Sequence, residues 1–296
     1  MGRLSSARIP LLVYPTAVLV MLVLAFGLAS RSFLDVDNLS HVVAQALVVG
    51  TLALGQLLVV RAGGIDLANA AVAVFATLLV ANLALTGTPA VLALVIGVLA
   101  AAGIGAVTGG LVAGLRLPPF LVTFALLVIV TAVSRSYARG RTFAVTDDVL
   151  GFLGTTKYLF GRIELTYGMG ALLVLALAVW FVLARTRWRS VPGLYVAAGV
   201  VYGIAAWQAL GRVPIAGPDA LPLGNLDSIT AVALGGISLF GGRGSVAGTL
   251  VGALVVAVLR TGLGQAGVDT LYQDVTVAVL LLAAVAVNRF GQWRHR

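Results

Sequence analysis

The chain has 296 residues, 60% of them hydrophobic and only 10% charged, against roughly 25% charged in an ordinary soluble domain. With a mean hydropathy of +1.10 it reads as an all-α, polytopic membrane protein. Its net charge of +9 is scattered singly or in short groups between apolar runs, which fits loop charges that retain membrane helices and not a nucleic-acid-binding face.

Runs of about 20 apolar residues cross a bilayer as helices, because every backbone polar group must be bonded internally there. Ten spans are predicted in chain order: 9–30, 41–60, 66–85, 89–114, 118–133, 169–184, 194–210, 228–240, 246–259 and 274–287. The first ends in "GLAS", small residues of the kind found at signal-peptide cleavage sites. Its apolar core is long for that role, so it reads as a retained helix. An N-terminus in the cytoplasm puts eleven of the nineteen basic residues on inner segments and eight on outer ones, and ten spans then bring the C-terminus back to the cytoplasm. The longest outer connection, 134–168, is mixed and amphipathic. It suits the membrane surface, an outside partner or a plain solvated loop.

Three stretches break the apolar pattern. In "VVRAGGIDLANA" (59–70), Gly63 and Gly64 stand beside Asp66 where one span ends and the next begins, with Asn69 following. An ionisable group at such a place is a candidate pathway residue, and the alternative is a solvated turn with Asp66 capping the next helix. In "LRLPPFLVTFALL" (115–127), Pro118 and Pro119 suit a first helical turn, Arg116 anchors the end, and Thr123 either faces a pore or bonds its own backbone.

The third stretch, "ALGGISLFGGRGSVAGTLVGALVVAV" (233–258), holds Gly235, Gly236, Ser238, Gly241, Gly242, Arg243, Gly244 and Ser245. Part of it matches G-x-G-x-x-A. A dinucleotide site also needs a preceding strand and a later acid, which are missing, and the Lys-Ser/Thr ending of a phosphate loop is missing too. Gly244, Gly248 and Gly252 are spaced by four, as are Gly105 with Gly109 and Gly110 with Gly114, so each set lines one helical face and admits a close neighbour. The cluster 241–245 then reads as the turn of a bent hairpin between a short and a full helix. Irregular backbone of this kind belongs to transport pathways.

The absence of cysteine excludes disulfides and thiolate metal sites. The two histidines, His41 and His295, are far apart, and no nucleophile–base pair or carboxylate dyad suggests an enzyme. No catalytic or metal-binding residue is assigned.

"GGIDLANAAVAVFATL", "LPPFLVTFALL" and "LDSITAVALGGISLFGGRGSVAGTLVGALVVAVLRTGL", in this order, resemble the permease subunits of bacterial ABC importers for ribose, arabinose, xylose and related monosaccharides, over about 33–288. The resemblance implies one permease domain across 1–296 in the bacterial inner membrane, paired with a second permease copy and surrounded by lipid. It also implies a separate ATPase that binds the ATP, a sugar-binding protein outside, and no cofactor or nucleic acid on this chain. Alternating access would run past the glycines and polar residues named above.

Two departures stand out. A serine and a glycine usually follow "GGIDL", and here Ala68-Asn69-Ala70 does. The family's ATPase-facing loop after the sixth span is shortened near 189–191 to "RTRWRSVPG", leaving Arg116, Arg185, Arg187 and Arg189 as the cytoplasmic face. That loss leaves two further readings open, a degenerate or regulatory permease-like subunit and an ATP-independent carrier.

Overall fold

The computed structural model describes residues 12–159, 163–185, 190–237 and 245–293. Among these the helices run α1 (Val13–Ala29), α2 (Val36–Arg61), α3 (Asn69–Leu85), α4 (Ala90–Gly114), α5 (Pro119–Ala138), α6 (Asp148–Gly151), α7 (Tyr167–Ala184), α8 (Val191–Arg212), α9 (Gly224–Leu234), α10 (Val246–Gln265) and α11 (Thr270–Trp293). Each of the ten expected spans falls on a helix. Seven of them, α2, α4, α5, α7, α8, α10 and α11, are long and apolar enough to cross a membrane. α1 and α3 are apolar but stop at 17 residues, and α9 has only 11.

Local signals set the helix starts. Pro118 precedes α5 and Pro119 opens it, where no backbone donor is lost. Ser190 accepts the Gly193 N–H ahead of α8, and Ser245 accepts the Gly248 N–H ahead of α10, each satisfying an end group that has no partner within the helix. α9 departs from expectation: it begins at Gly224 and ends at Leu234, ahead of the predicted 228–240.

The connection after α5 is structured. β1 (Phe143–Ala144) pairs antiparallel with β4 (Ile215–Ala216), which follows α8. β2 (Thr156–Leu159) and β3 (Ile163–Thr166) form a hairpin. The short α6 lies between these strands, capped by Asp147, whose carboxylate accepts the Val149 N–H at 2.8 Å.

α2 is the axis of the bundle, with 83% of its most apolar stretch buried, whereas α5 and α11 reach 22% and 11% and form the periphery. Small residues bring backbones together. A Cβ on Gly105 of α4 would fall 2.3 Å from the Tyr195 carbonyl of α8, and one on Gly199 would fall 2.4 Å from the Ala101 carbonyl. Gly109 packs on Pro192 in the same seam, as expected. Gly110 and Gly114 face open space, so the second predicted close approach on α4 is not made within this chain.

Candidate translocation site

Beyond Arg61 the chain turns back into the bundle. Gly63 has φ +87, a backbone state that glycine adopts without a side-chain penalty. The return brings Asp66 and Asn69 beside Gln56, more than a helical turn back along α2. The Gln56 amide is fully buried. It accepts the Asp66 N–H at 3.1 Å and donates to the Asp66 carbonyl at 2.9 Å. One side chain thus satisfies both backbone groups of a non-helical residue inside the core, where an unpaired group would be costly.

Asp66 is buried, so the solvated-turn alternative is not what the fold builds. Its carboxylate accepts the Ala68 N–H at 2.8 Å, which holds the elbow in shape just ahead of α3. A Cβ on Gly64 would meet the Tyr195 hydroxyl at 2.6 Å and Pro119 at 2.8 Å, so the elbow packs directly on the start of α5 and on α8. Thr123 donates to the Ile65 carbonyl at 2.8 Å and makes a longer contact to Phe120 at 3.3 Å. The shorter bond reaches across to the elbow, and the longer one returns to its own helix, which is the own-backbone alternative. On the other side, Asn69 donates to Ser228 at 2.7 Å, and Asn225 donates to the Leu67 carbonyl at 3.2 Å, both on α9. The hydroxyls of Tyr195 and Tyr202 are buried nearby, that of Tyr202 against the Asp66 carboxylate. Gly63, Gly64, Asp66, Asn69, Pro118, Pro119 and Thr123 are therefore gathered at one joint of α2, α3, α5, α8 and α9.

The third stretch is described only in part. Gly235 ends α9, Gly236 has φ +79, and a Cβ on Gly252 of α10 would lie 2.0 Å from the Ala231 carbonyl, so α9 and α10 run in backbone contact there. Ser238, Gly241, Gly242, Arg243 and Gly244 lie outside the described residues, as do Arg187 and Arg189. Arg116 is exposed, with φ 55, and the exposed Arg185 guanidinium lies 4.7 Å over the Phe181 ring.

One cluster was missed in the sequence. Arg260 of α10 is clasped by Asp227 of α9 through Nε at 2.9 and 3.0 Å and Nη2 at 2.7 Å, and its Nη1 reaches Asp274 of α11 at 2.9 Å. Arg260 and Asp227 are 10% and 7% exposed, so this is a buried ion triad tying three helices. Asp227 falls one residue before the expected span 228–240, and Arg260 one residue after the expected span 246–259. The structure puts Asp227 and Arg260 inside helices. The available signal was a lone arginine within the apolar "GALVVAVLRTGL".

A helix bundle with an irregular, hydrogen-bonded elbow at its heart is the frame of a transport protein, and comparison with known proteins agrees. The family described as branched-chain amino acid transport system / permease component matches residues 38–188. The chain belongs to this permease family. The permease is 32% identical to the fructose import permease protein of Rhizobium meliloti, over 98% of this chain and 86% of that protein. It is 30% identical to the ribose import permease protein of Escherichia coli K12, over 93% and 92%, and 28% identical to the D-allose transport system permease protein of the same strain, over 92% and 90%. The first match runs over 318 aligned positions yet takes 98% of a 296-residue permease, so that relative carries residues absent here. No solved structure matches this permease.

Proposed function

We propose that this chain is the membrane-spanning subunit of an ATP-driven importer of a monosaccharide in the bacterial inner membrane. The observation that carries this reading is the end-to-end likeness to three sugar import permeases, which takes in both the elbow and the α9–α10 pair. The chain itself makes and breaks no covalent bond. ATP is bound by a partner ATPase on the cytoplasmic side, and a sugar-binding protein delivers substrate from the other side. A second permease copy completes the pathway. In this reading all ten expected spans cross the membrane, the three shorter helices included, and both termini lie on the ATPase side.

The elbow supports alternating access because its bonds connect α2, α5 and α9 through neutral groups that can exchange partners as helices shift. The connection from α7 to α8 spans only 185–190, so the ATPase docks on a face that includes Arg116 and Arg185. Reconstitution in vesicles with the ATPase and binding protein from the same source tests the reading. Uptake of a labelled monosaccharide that requires ATP is expected. Uptake that proceeds equally without ATP, or failure of the ATPase to co-purify, overturns it.

A further inference from the structure

The elbow does not account for the polar groups at the opposite end of the bundle, where α2 begins and α8 finishes. There a cavity of about 350 Å³ lies beneath the β2–β3 hairpin, within the range of roughly 300–1,000 Å³ typical of small-molecule sites. A second cavity of about 370 Å³ adjoins it, and the two share Val48, Arg212 and Val213 as a wall.

The chemistry of the first cavity is one-sided. No aspartate or glutamate is among its lining residues, and among the described residues no carboxylate pairs with Arg212. The guanidinium donates instead to the Gln45 amide oxygen, leaving most of its five N–H groups and both Gln45 amide hydrogens unspent. Gln208 stands on the same wall. Its oxygen accepts from Thr51 at 2.5 Å and its nitrogen spends one hydrogen on the Gly168 carbonyl at 3.4 Å, so one donor remains. The Thr166 hydroxyl at the hairpin end is buried without a partner. A surface rich in spare donors, with the Arg212 guanidinium and the His41 imidazole in its lining and no carboxylate among the described residues there, offers a metal ion or an amine no anionic partner. Donors spread over both walls suit a ligand presenting several neutral oxygens.

We infer that this cavity is a binding chamber for a free monosaccharide inside a single permease subunit, contacted by Gln45, Gln208 and Arg212, with Arg212 forming the wall to the second chamber. The inference rests on the sugar-import reading above and adds a location to it.

Because the chain has no cysteine, single-cysteine probes need no background removal. Ser40→Cys and Thr261→Cys place a thiol in the chamber lining, and Ser136→Cys serves as a control outside it. Each is studied in the assembled transporter in vesicles, with a membrane-impermeant thiosulfonate and with D-fructose, D-ribose and D-allose as probes. Both chamber thiols are expected to label. An imported sugar at ten times its dissociation constant slows them about tenfold, in proportion to the free fraction, while the control is unchanged. Gln45→Leu in the same background abolishes the protection and leaves the labelling.

An imported sugar that leaves the chamber thiols unprotected overturns the chamber while the importer reading stands. Unreactive thiols, or protection by sulfate alone, overturn it as well. Vesicles whose uptake of an imported sugar proceeds equally without ATP overturn the importer reading at the uptake step, and the chamber falls with it.

Discussion

α9 has two sides built from different chemistry. Toward α2 and α3 it offers Asn225 and Ser228, which hold the elbow through neutral amide and hydroxyl contacts. Toward α10 and α11 it offers Asp227, locked to Arg260 and through it to Asp274. A neutral hydrogen bond is worth about 1 kcal/mol net and its groups readily take new partners, so the first side can slide at small cost. Separating a buried charge from its partner costs several times more, so the second side moves as a unit. The difference assigns motion to the elbow and rigidity to the α9–α10–α11 group.

The comparison breaks most visibly at Arg260. Arg260→Leu leaves the carboxylates of Asp227 and Asp274 facing each other in a largely dry site, and a loss of about 3–5 kcal/mol is expected, read as a lowered unfolding temperature of the purified permease in detergent. A triple variant with Asp227→Leu, Arg260→Leu and Asp274→Asn removes all three charges together and recovers most of the loss, since a buried pair contributes little net stability. A single variant as stable as the parent would mean that the triad is not the rigid side.

Gln56 tests the other side. Gln56→Leu keeps the bulk but strands the Asp66 N–H and carbonyl, at a cost of about 1–3 kcal/mol. The place of the damage is more telling than its size. Amide hydrogen exchange should rise in 62–69 after Gln56→Leu, whereas Arg260→Leu should raise it across α9, α10 and α11. Exchange that stays flat at the elbow would remove the reason for calling it the joint.

Much of this arrangement could be read in the sequence, for reasons that also explain what could not. The long helices were visible because each carries enough apolar length to be recognised alone, as in α4 and α8. The elbow was visible because Gly63, Gly64, Asp66 and Asn69 are neighbours in sequence, so local chemistry marks it. The triad was not, because Asp227, Arg260 and Asp274 lie on three separate helices and only packing brings them together. Gly110 and Gly114 had the right spacing and no partner in this chain, since a face of small residues says nothing about what lies opposite. The strands in the connection 134–168 went unread because strands of two to four residues leave no periodic pattern.

The smallest expected effect sharpens the contrast most cleanly. Arg135 and Asp219 are the same residue types as Arg260 and Asp227, but they meet at 3.4 Å with side chains 65% and 76% exposed. Water and salt screen such a pair, so a double-mutant cycle with Arg135→Ala and Asp219→Ala should return a coupling below about 1 kcal/mol that fades as salt is raised. The same cycle at Arg260 and Asp227 should return several times more and resist salt, because the screening ions cannot reach it. Equal couplings at the two sites would show that the bundle shields neither pair, and α9 would then have no stiff side from which the elbow could move.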